Sequence, residues 1–203
     1  MEPIVAPIAA LALGYMLGSI PFGLLLTRLT GGGDLRKIGS GNIGATNVLR
    51  TGRKGLAAAT LLLDSAKGAV ALLLAERLFP GTVQIAAIGA LLGHLWPVWL
   101  RFAGGKGVAT YFGISLGFTL AGGLAAWVPA AYAATWIGTL LLTRYSSLGG
   151  LVAALVTPLA AALAGRFDLA LLFLGFTLLV FWKHRENIAR LLAGTESRVG
   201  RGA

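Results

Sequence analysis

Two glycine-rich segments of the chain combine residue types that are suited to binding an anion. The first reads GDLRKIGSGNIGATNVLR over residues 33–50, and the second reads FAGGKGVAT over residues 102–110. Glycine permits positive φ and a close approach of the backbone, so consecutive N–H groups can point at one anion. The pattern predicts phosphate binding without a Walker motif.

Within the first segment, hydroxyl and amide side chains alternate with glycines. The glycines expected to allow positive φ are Gly39, Gly41 and Gly44, and the neutral donors beside them are Ser40, Asn42, Thr46 and Asn47. The alternative is a flexible linker, which is the better interpretation of residues 31–33. A flexible linker does not require two asparagines, so we expect residues 40–47 to bind a ligand.

In the second segment a lysine stands among glycines, just where an apolar stretch begins. Lys106 is flanked by Gly104, Gly105 and Gly107. Backbone amides at a helix N-terminus and an ammonium group attract an anion by dipole and charge together. The alternative is a tight turn whose lysine only sets membrane topology. Two such segments on one membrane face suggest two anionic groups.

Three ionisable residues fall inside apolar stretches. Asp64 and Lys67 are three residues apart and share a helix face, where they either neutralise one another or support a site. His94 precedes Arg101 by about two helical turns, which predicts a depth of roughly 10 Å. It serves either as an interhelical packing donor or as a site residue. Gly68 is expected to let another helix approach closely.

The C-terminal segment from residue 183 to 197 is predicted to form a short amphipathic helix at the membrane surface, with Gly194 as its C-cap. Its cluster of His184, Arg185, Glu186 and Asn187 is more polar than membrane anchoring requires.

Several reaction types lack the residues they need. The chain has no cysteine, no G-x-S-x-G elbow and no cluster of carboxylates. A histidine-x4-aspartate motif is also missing, because Trp99 and Ala189 stand where the aspartate is needed. We therefore predict neither a metal nor a cofactor.

The elements that must position these residues are membrane helices. The chain has 203 residues, of which 57% are hydrophobic and 12% charged, with a mean hydropathy of +0.82. Such a composition excludes a soluble globular domain. We predict one all-α domain over residues 1–203, a polytopic integral membrane protein with seven transmembrane helices. The predicted spans are residues 3–27, 55–76, 80–100, 107–121, 124–143, 146–165 and 167–183, followed by a cytoplasmic tail over 184–203.

The distribution of Lys and Arg orients these spans. With seven spans and the N-terminus outside, 14 of the 17 cationic residues face the cytoplasm and two face outward. If the uncharged stretch over 107–143 were one span, the numbers would be 9 and 7. Gly122 and Gly123 are therefore expected to form a turn between two spans, the first of them shorter or tilted. The net charge of +10 is mostly a topology signal, which disfavours nucleic acid as a partner. The first 30 residues lack the basic start of a cleaved signal peptide.

Six motifs in this order resemble the PlsY family of bacterial acyl-phosphate:glycerol-3-phosphate acyltransferases. They are GSIPFG (18–23), GSGNIGATN (39–47), Asp64-x-x-Lys67-Gly68, GHLWPV (93–98), GGKGVAT (104–110) and HRENI (184–188). Together they run over most of the chain. One departure is Ala103, where many relatives have a basic residue, and it puts only a peripheral contact in doubt.

The resemblance implies transfer of a fatty acyl group from acyl phosphate to the sn-1 hydroxyl of glycerol 3-phosphate, giving lysophosphatidic acid and phosphate. This is the first acylation of phospholipid synthesis, at the cytoplasmic face of the bacterial inner membrane. The expected partners are acyl phosphate, glycerol 3-phosphate and membrane lipid, with functional coupling to an enzyme that produces acyl phosphate.

The resemblance also suggests roles for individual residues. The catalytic candidates are His94, Ser40, Asn42 and Lys106. In one hypothesis Ser40, Asn42 and the glycine amides hold the donor phosphate, while Lys106, Arg50, His184 and Asn187 hold the glycerol phosphate. The two assignments are exchangeable. The proton of the attacking hydroxyl passes to His94 or to the donor's own phosphate.

Two other classes of protein stay open at this point. A transporter or channel for a small anion would also use buried Asp64, Lys67 and His94 beside glycine-broken segments. Transporters, however, usually bind near the bilayer midplane, whereas these motifs gather at one face. A non-catalytic membrane scaffold would need no phosphate-binding loops.

Overall fold

The computed structural model describes residues 4–200, which are helices and connecting turns without any strand. The predicted all-α class is confirmed. These residues divide into two compact units, one up to Ala121 and one from Gly122 onward.

The first unit contains six α-helices and two short 3-10 helices. The α-helices are α1 (Val5–Gly18), α2 (Phe22–Leu29), α3 (Ala45–Arg50), α4 (Lys54–Leu78), α5 (Val83–Leu95) and α6 (Val108–Leu120). The 3-10 helices are Leu35–Lys37, before α3, and Val98–Leu100, between α5 and α6.

The first predicted span is not one continuous helix. It is broken between α1 and α2 at residues 19–21. Pro21 has no N–H to donate and disfavours a helical conformation at Ile20, so the helix ends before it. Similarly, α5 ends at Leu95, two residues before Pro97. The helical rise from His94 to Arg101, on which the predicted depth of His94 was based, is therefore not present.

Glycines allow the helices of the first unit to pack closely. On α1 and α5, a methyl group on Gly14, Gly18, Gly89 or Gly93 would overlap the backbone of the opposite helix. On α4, a methyl group on Gly68 would lie 2.7 Å from the carbonyl oxygen of Thr110 in α6. The close approach predicted at Gly68 is confirmed.

The second unit consists of four α-helices: α7 (Trp127–Thr143), α8 (Ser146–Leu163), α9 (Phe167–Lys183) and α10 (Arg185–Leu192). The turn from α7 to α8 uses Arg144 in a left-handed conformation, and the turn from α8 to α9 uses Gly165. α9 and α10 meet at an angle of 63°. α10 covers less than the predicted helix over residues 183–197, and its C-cap is Ala193 rather than Gly194. Gly194 follows the C-cap with a φ of +68°.

Four helical segments among the described residues are long and apolar enough to cross a membrane: Val5–Leu29, Lys54–Leu78, Val83–Leu100 and Ser146–Leu163. The bent pair Phe167–Lys183 and Arg185–Leu192 makes a fifth if it counts as one span. α6 is an apolar helix of 13 residues, shorter than these segments. A turn at Gly122, with a φ of +76°, follows it. The protein is a multi-pass membrane protein.

Candidate active site

The buried side chain of Asn47 organises the first glycine loop. Its Nδ2 lies 3.0 Å from the carbonyl oxygen of Leu35, 2.9 Å from that of Ile38 and 2.8 Å from that of Asn42. Its Oδ1 accepts a hydrogen bond from the backbone N–H of Ser40 at 3.2 Å. The buried side chain of Asn47 thus fixes the backbone conformation of residues 35–47.

The backbone of this loop matches the prediction in part. Gly39 and Gly41 have φ values of +52° and +68°, as expected. Gly44 does not, because it is the N-cap of α3 with a φ of −84°. Its N–H donates to Oδ1 of Asn42 at 3.2 Å, and the N–H of Gly41 donates to the carbonyl of Ile38 at 2.9 Å. Part of the expected anion-binding backbone is therefore used to hold the loop together.

Arg50 lies beside the first loop. A Cβ built on Gly39 would lie 2.9 Å from Cδ and 3.2 Å from Nη1 of Arg50, so the arginine side chain crosses the loop at this glycine. Ser40 is exposed on the same loop. Arg50 therefore lies against the first loop at Gly39, the residue that precedes Ser40.

An exposed ion pair between Asp34 and Arg36 lies at the start of the first loop. Asp34 accepts from the guanidinium of Arg36 at 2.7 Å and from the backbone N–H of Arg36 at 3.0 Å. These bonds hold the pKa of the Asp34 carboxyl well below its usual range.

The second loop, which we call the GGKG loop (residues 104–107), is shaped by its neighbours. The N–H of Gly105 donates to the carbonyl of His94 at 3.0 Å. A methyl group on Gly105 would overlap the Nε2 of His94, and one on Gly104 would overlap the His94 carbonyl and Pro97. Gly107 has a φ of +86° and is the N-cap of α6. Lys106 therefore stands at a helix N-terminus, as predicted.

Asp64, Lys67 and His94 come together beneath the GGKG loop. Oδ1 of Asp64 lies 2.6 Å from Nζ of Lys67 and 3.8 Å from Nδ1 of His94. All three side chains are almost fully buried. An ion pair in such a place is retained only where its geometry is good, because removing two charges from water is costly.

An apolar cluster packs the first loop against the 3-10 helix that precedes the GGKG loop. Its buried members are Leu24, Leu35, Ile43, Val48, Ala57 and Leu100. Ile43 and Val48 belong to the first loop and to α3, whereas Leu100 precedes the GGKG loop by four residues. The first loop is thus packed against the segment that leads into the second, within the first unit.

The polar cluster of the second unit is centred on Glu196. Its carboxylate accepts hydrogen bonds from Asn187 at 2.6 Å, Ser147 at 2.7 Å and Arg190 at 2.7 Å. Burial raises the pKa of Glu196, but these three donors outweigh burial and hold the pKa below its ordinary value. Nearby, Nδ1 of the buried His184 lies 2.8 Å from the carbonyl oxygen of Val180.

Comparison with known proteins identifies the chain. The model of the glycerol-3-phosphate acyltransferase family matches residues 8–194. The chain belongs to this family. A glycerol-3-phosphate acyltransferase of Brucella ovis is 59% identical over 193 residues, covering 95% of this chain and 93% of the relative. One of Rhodopseudomonas palustris strain BisB5 is 59% identical over 197 residues, covering 95% and 96%.

Two crystal structures of PlsY, an integral membrane glycerol 3-phosphate acyltransferase, resemble this acyltransferase. The glycerol 3-phosphate form has a TM-score of 0.86 and 35% identity, and covers 96% of each chain. The lysophosphatidic acid form has a TM-score of 0.85 and 33% identity, and covers 96% of this chain and 95% of that one. The predicted family, enzyme class and acyl acceptor are confirmed.

The site residues of the acyltransferase, by contrast, stay predictions. Within the first unit the fold gathers Lys106, Gly104, Gly105 and Gly107 above His94, Asp64 and Lys67. The first loop holds Ser40, Asn42, Thr46, Asn47 and Arg50. His184 and Asn187 belong to the second unit.

Sequence reasoning missed Glu196, which lies in the tail nine residues after Asn187. A carboxylate following HRENI and Arg190 in an otherwise basic tail was the available signal. Its bond with Ser147, 49 residues away, was not visible in the sequence.

Proposed function

We propose that this acyltransferase transfers a fatty acyl group from acyl phosphate to the sn-1 hydroxyl of glycerol 3-phosphate. The products are lysophosphatidic acid and inorganic phosphate. The observation that carries this proposal is an apolar cluster that packs the first glycine loop, through Leu35, Ile43 and Val48, against Leu100, four residues before the GGKG loop. A reaction between two phosphate-bearing substrates needs two anion sites held at a fixed separation, and this cluster fixes the first loop to the segment that leads into the second.

In the reaction, the sn-1 oxygen forms a bond to the acyl carbonyl carbon, and the bond from that carbon to the phosphate oxygen breaks. Phosphate leaves with the electron pair of that bond. The hydroxyl proton passes to His94 or to the donor phosphate. Because acyl phosphate is an activated mixed anhydride, the reaction needs no cysteine nucleophile, and the chain has no cysteine.

The two loops would divide the substrates between them. Ser40, Asn42, Arg50 and the backbone of Gly39, Gly41 and Gly44 would hold one phosphate. Lys106 and the amides of Gly104, Gly105 and Gly107 would hold the other. Thr46 and Asn47 would support the first loop, and Asp64 and Lys67 would support the second.

In the membrane, we propose seven spans with the N-terminus outside and the C-terminus in the cytoplasm, forming one acyltransferase domain over residues 1–203. The site would face the cytoplasm from the bacterial inner membrane, coupled there to an enzyme that produces acyl phosphate. The support for this arrangement is the positive-inside distribution of 14 cationic residues.

The reaction is tested with the purified full-length protein in detergent, supplied with palmitoyl phosphate and glycerol 3-phosphate. We expect lysophosphatidic acid and phosphate in equal amounts, and no product from palmitoyl coenzyme A. Product from the coenzyme A ester alone would overturn the choice of donor. No product from either donor, with a protein shown to be folded by its melting transition, would overturn the proposed reaction.

Two substitutions test the roles of single residues in this reaction. Lys106→Met should raise the KM of one anionic substrate about 10- to 100-fold, because a hydrogen bond to a charged group contributes about 1.5–3 kcal/mol. Unchanged kinetics for both substrates would contradict the role of Lys106. His94→Asn should lower kcat by about 100-fold or more if His94 is the base. A near-normal kcat with an unchanged pH profile would leave the donor phosphate as the proton acceptor.

The topology is tested with single cysteines in this cysteine-free chain. With seven spans, Arg77→Cys and Gly123→Cys react with an impermeant maleimide added outside intact cells, and Lys54→Cys reacts only after lysis. A protected Gly123→Cys would favour one span over residues 107–143.

A further inference from the structure

Asp64 lies where the two flanks of the GGKG loop meet. On the side before the loop, Nδ1 of His94 is 3.8 Å from Oδ1 of Asp64. On the side after the loop, the hydroxyl of Thr110 donates to the backbone carbonyl of Asp64 at 3.1 Å. A single residue of α4 therefore contacts both ends of the segment that carries Lys106.

Lys67 extends this contact to the break in the first span. Its Nζ is 2.6 Å from Oδ1 of Asp64 and donates to the carbonyl of Ile20 at 2.8 Å. The same ammonium lies 5.8 Å from the centre of the Phe22 ring. Because Pro21 ends α1, the carbonyl of Ile20 has lost its place in a regular helix. The lysine satisfies that carbonyl from 47 residues away.

The same break is also tied to the segment that leads into the GGKG loop. The indole N–H of Trp99 donates to the carbonyl of Ser19 at 3.0 Å. The hydroxyl of Tyr15 donates to the carbonyl of Trp96 at 2.8 Å. The residues before the loop are therefore fixed against α1, and Lys67 fixes the end of α1 against α4.

Mutual neutralisation of two charges does not by itself explain this arrangement. The side chains of Asp64 and Lys67 are only 4% and 2% exposed. A pair of apolar residues would fill that space at a lower desolvation cost. What an apolar pair cannot supply is the bond to Ile20 and the polar contact with His94.

We propose that Asp64 and Lys67 are positioning residues for the GGKG loop. Their side chains act through His94 and the break in the first span, and they touch neither substrate. This role rests on the proposed function, in which the loop binds a substrate phosphate. Losing the pair should loosen the loop and weaken phosphate binding while the fold persists.

The test uses the double variant Asp64→Leu with Lys67→Met in the full-length protein. The double variant leaves no unpaired buried charge, so it should fold even where either single variant fails. Thr60→Val is the matched control, since Thr60 is a buried polar residue of α4 whose hydroxyl bonds to Leu56 in its own helix.

Two measurements are made on each variant. Hydrogen exchange reports the amide of Gly105, which is bonded to the carbonyl of His94. Steady-state kinetics with palmitoyl phosphate report KM and kcat separately. In the double variant we expect at least 10-fold faster exchange over residues 103–107 and at least a 10-fold higher KM for one substrate, with kcat changed less. Thr60→Val should leave both measurements unchanged.

The possible outcomes separate the two proposals. If the double variant is folded and has the hydrogen exchange and the KM of the wild type, Asp64 and Lys67 only neutralise each other's charge. This result would overturn the positioning role. Faster exchange with native KM for both substrates would support positioning but overturn phosphate binding by this loop. If the wild-type protein forms no lysophosphatidic acid, the exchange measurement still decides whether the pair holds the loop.

Discussion

The first glycine loop is held by its own residues, whereas the GGKG loop is held by its neighbours. In the first loop, one side chain, Asn47, bonds carbonyls of Leu35, Ile38 and Asn42, all within 12 residues of itself. In the second, Gly105 is bonded to His94 and packs against its ring, and the flanks meet at Asp64 in another helix.

This difference predicts which substitutions should disturb each loop. A loop held locally should respond to changes in its own sequence and tolerate changes elsewhere. A loop held by packed helices should respond to volume changes at its contacts and to remote residues such as Lys67. The first loop nevertheless packs through an apolar cluster on Leu100, four residues before the GGKG loop, so disturbing that cluster should shift the two loops relative to one another.

The largest expected effect is that of Gly105→Ala. The added methyl group would overlap the Nε2 of His94, so the loop must move, and a displacement of about 1 Å in a positioning element can lower kcat/KM about 100-fold. The control is Gly55→Ala in α4, where a Cβ meets no atom within 4 Å. Steady-state kinetics with both substrates make the comparison, and wild-type kcat/KM in Gly105→Ala would contradict the packing of this loop on His94.

An intermediate effect is expected for Asn47→Ala. Leaving several loop carbonyls without their donor should cost about 2 kcal/mol, which makes local opening of residues 38–46 about 30-fold more populated. Hydrogen exchange should show this increase in the first loop and leave residues 103–107 unchanged. Equal changes in both loops would mean that the first loop is not held locally.

The smallest effect is expected in the tail, where Glu196 is held both by residues close to it in the chain and by a distant one. Glu196 is bonded to Asn187 and Arg190 nearby and to Ser147 at a distance. Its pKa is lowered in the fold, so its contribution to stability is present above the unfolded pKa and is lost as the pH falls through the lower folded value.

Glu196→Gln should therefore lower the melting temperature at neutral pH by about 2 °C. The difference from wild type should shrink as the pH is lowered below the ordinary glutamate value of 4.5. Melting curves in detergent across this pH range measure it. A difference that grows on acidification would have the wrong sign for a carboxylate whose pKa is lowered by its donors.

Much of the architecture could be predicted from the sequence because a membrane helix is recognisable as a long apolar stretch. Each of the predicted stretches contains a helix or a helix pair, and the turn at Gly122 lies where two adjacent glycines interrupt the uncharged region. The break at Pro21 was not predicted because the residues around it are apolar throughout. Apolar length alone does not show where a helix is interrupted. Gly44 was assigned a positive φ because glycine permits one without requiring it, and its role as N-cap of α3 depends on the helix after it.

The sequence by itself determined the membrane character, the all-α class, the two glycine loops and the family resemblance. Each of these depends on composition or on residues close together in the chain. Only the tertiary structure decided that Arg50 packs against Gly39 and that Glu196 accepts hydrogen bonds from Asn187 and Ser147. It also decided that Lys67 donates to the carbonyl of Ile20 and Thr110 to the carbonyl of Asp64. The bond from Lys67 to Ile20 spans 47 residues and that from Thr110 to Asp64 spans 46. Such contacts depend on how closely glycine-lined helices pack, which no local pattern of residues specifies.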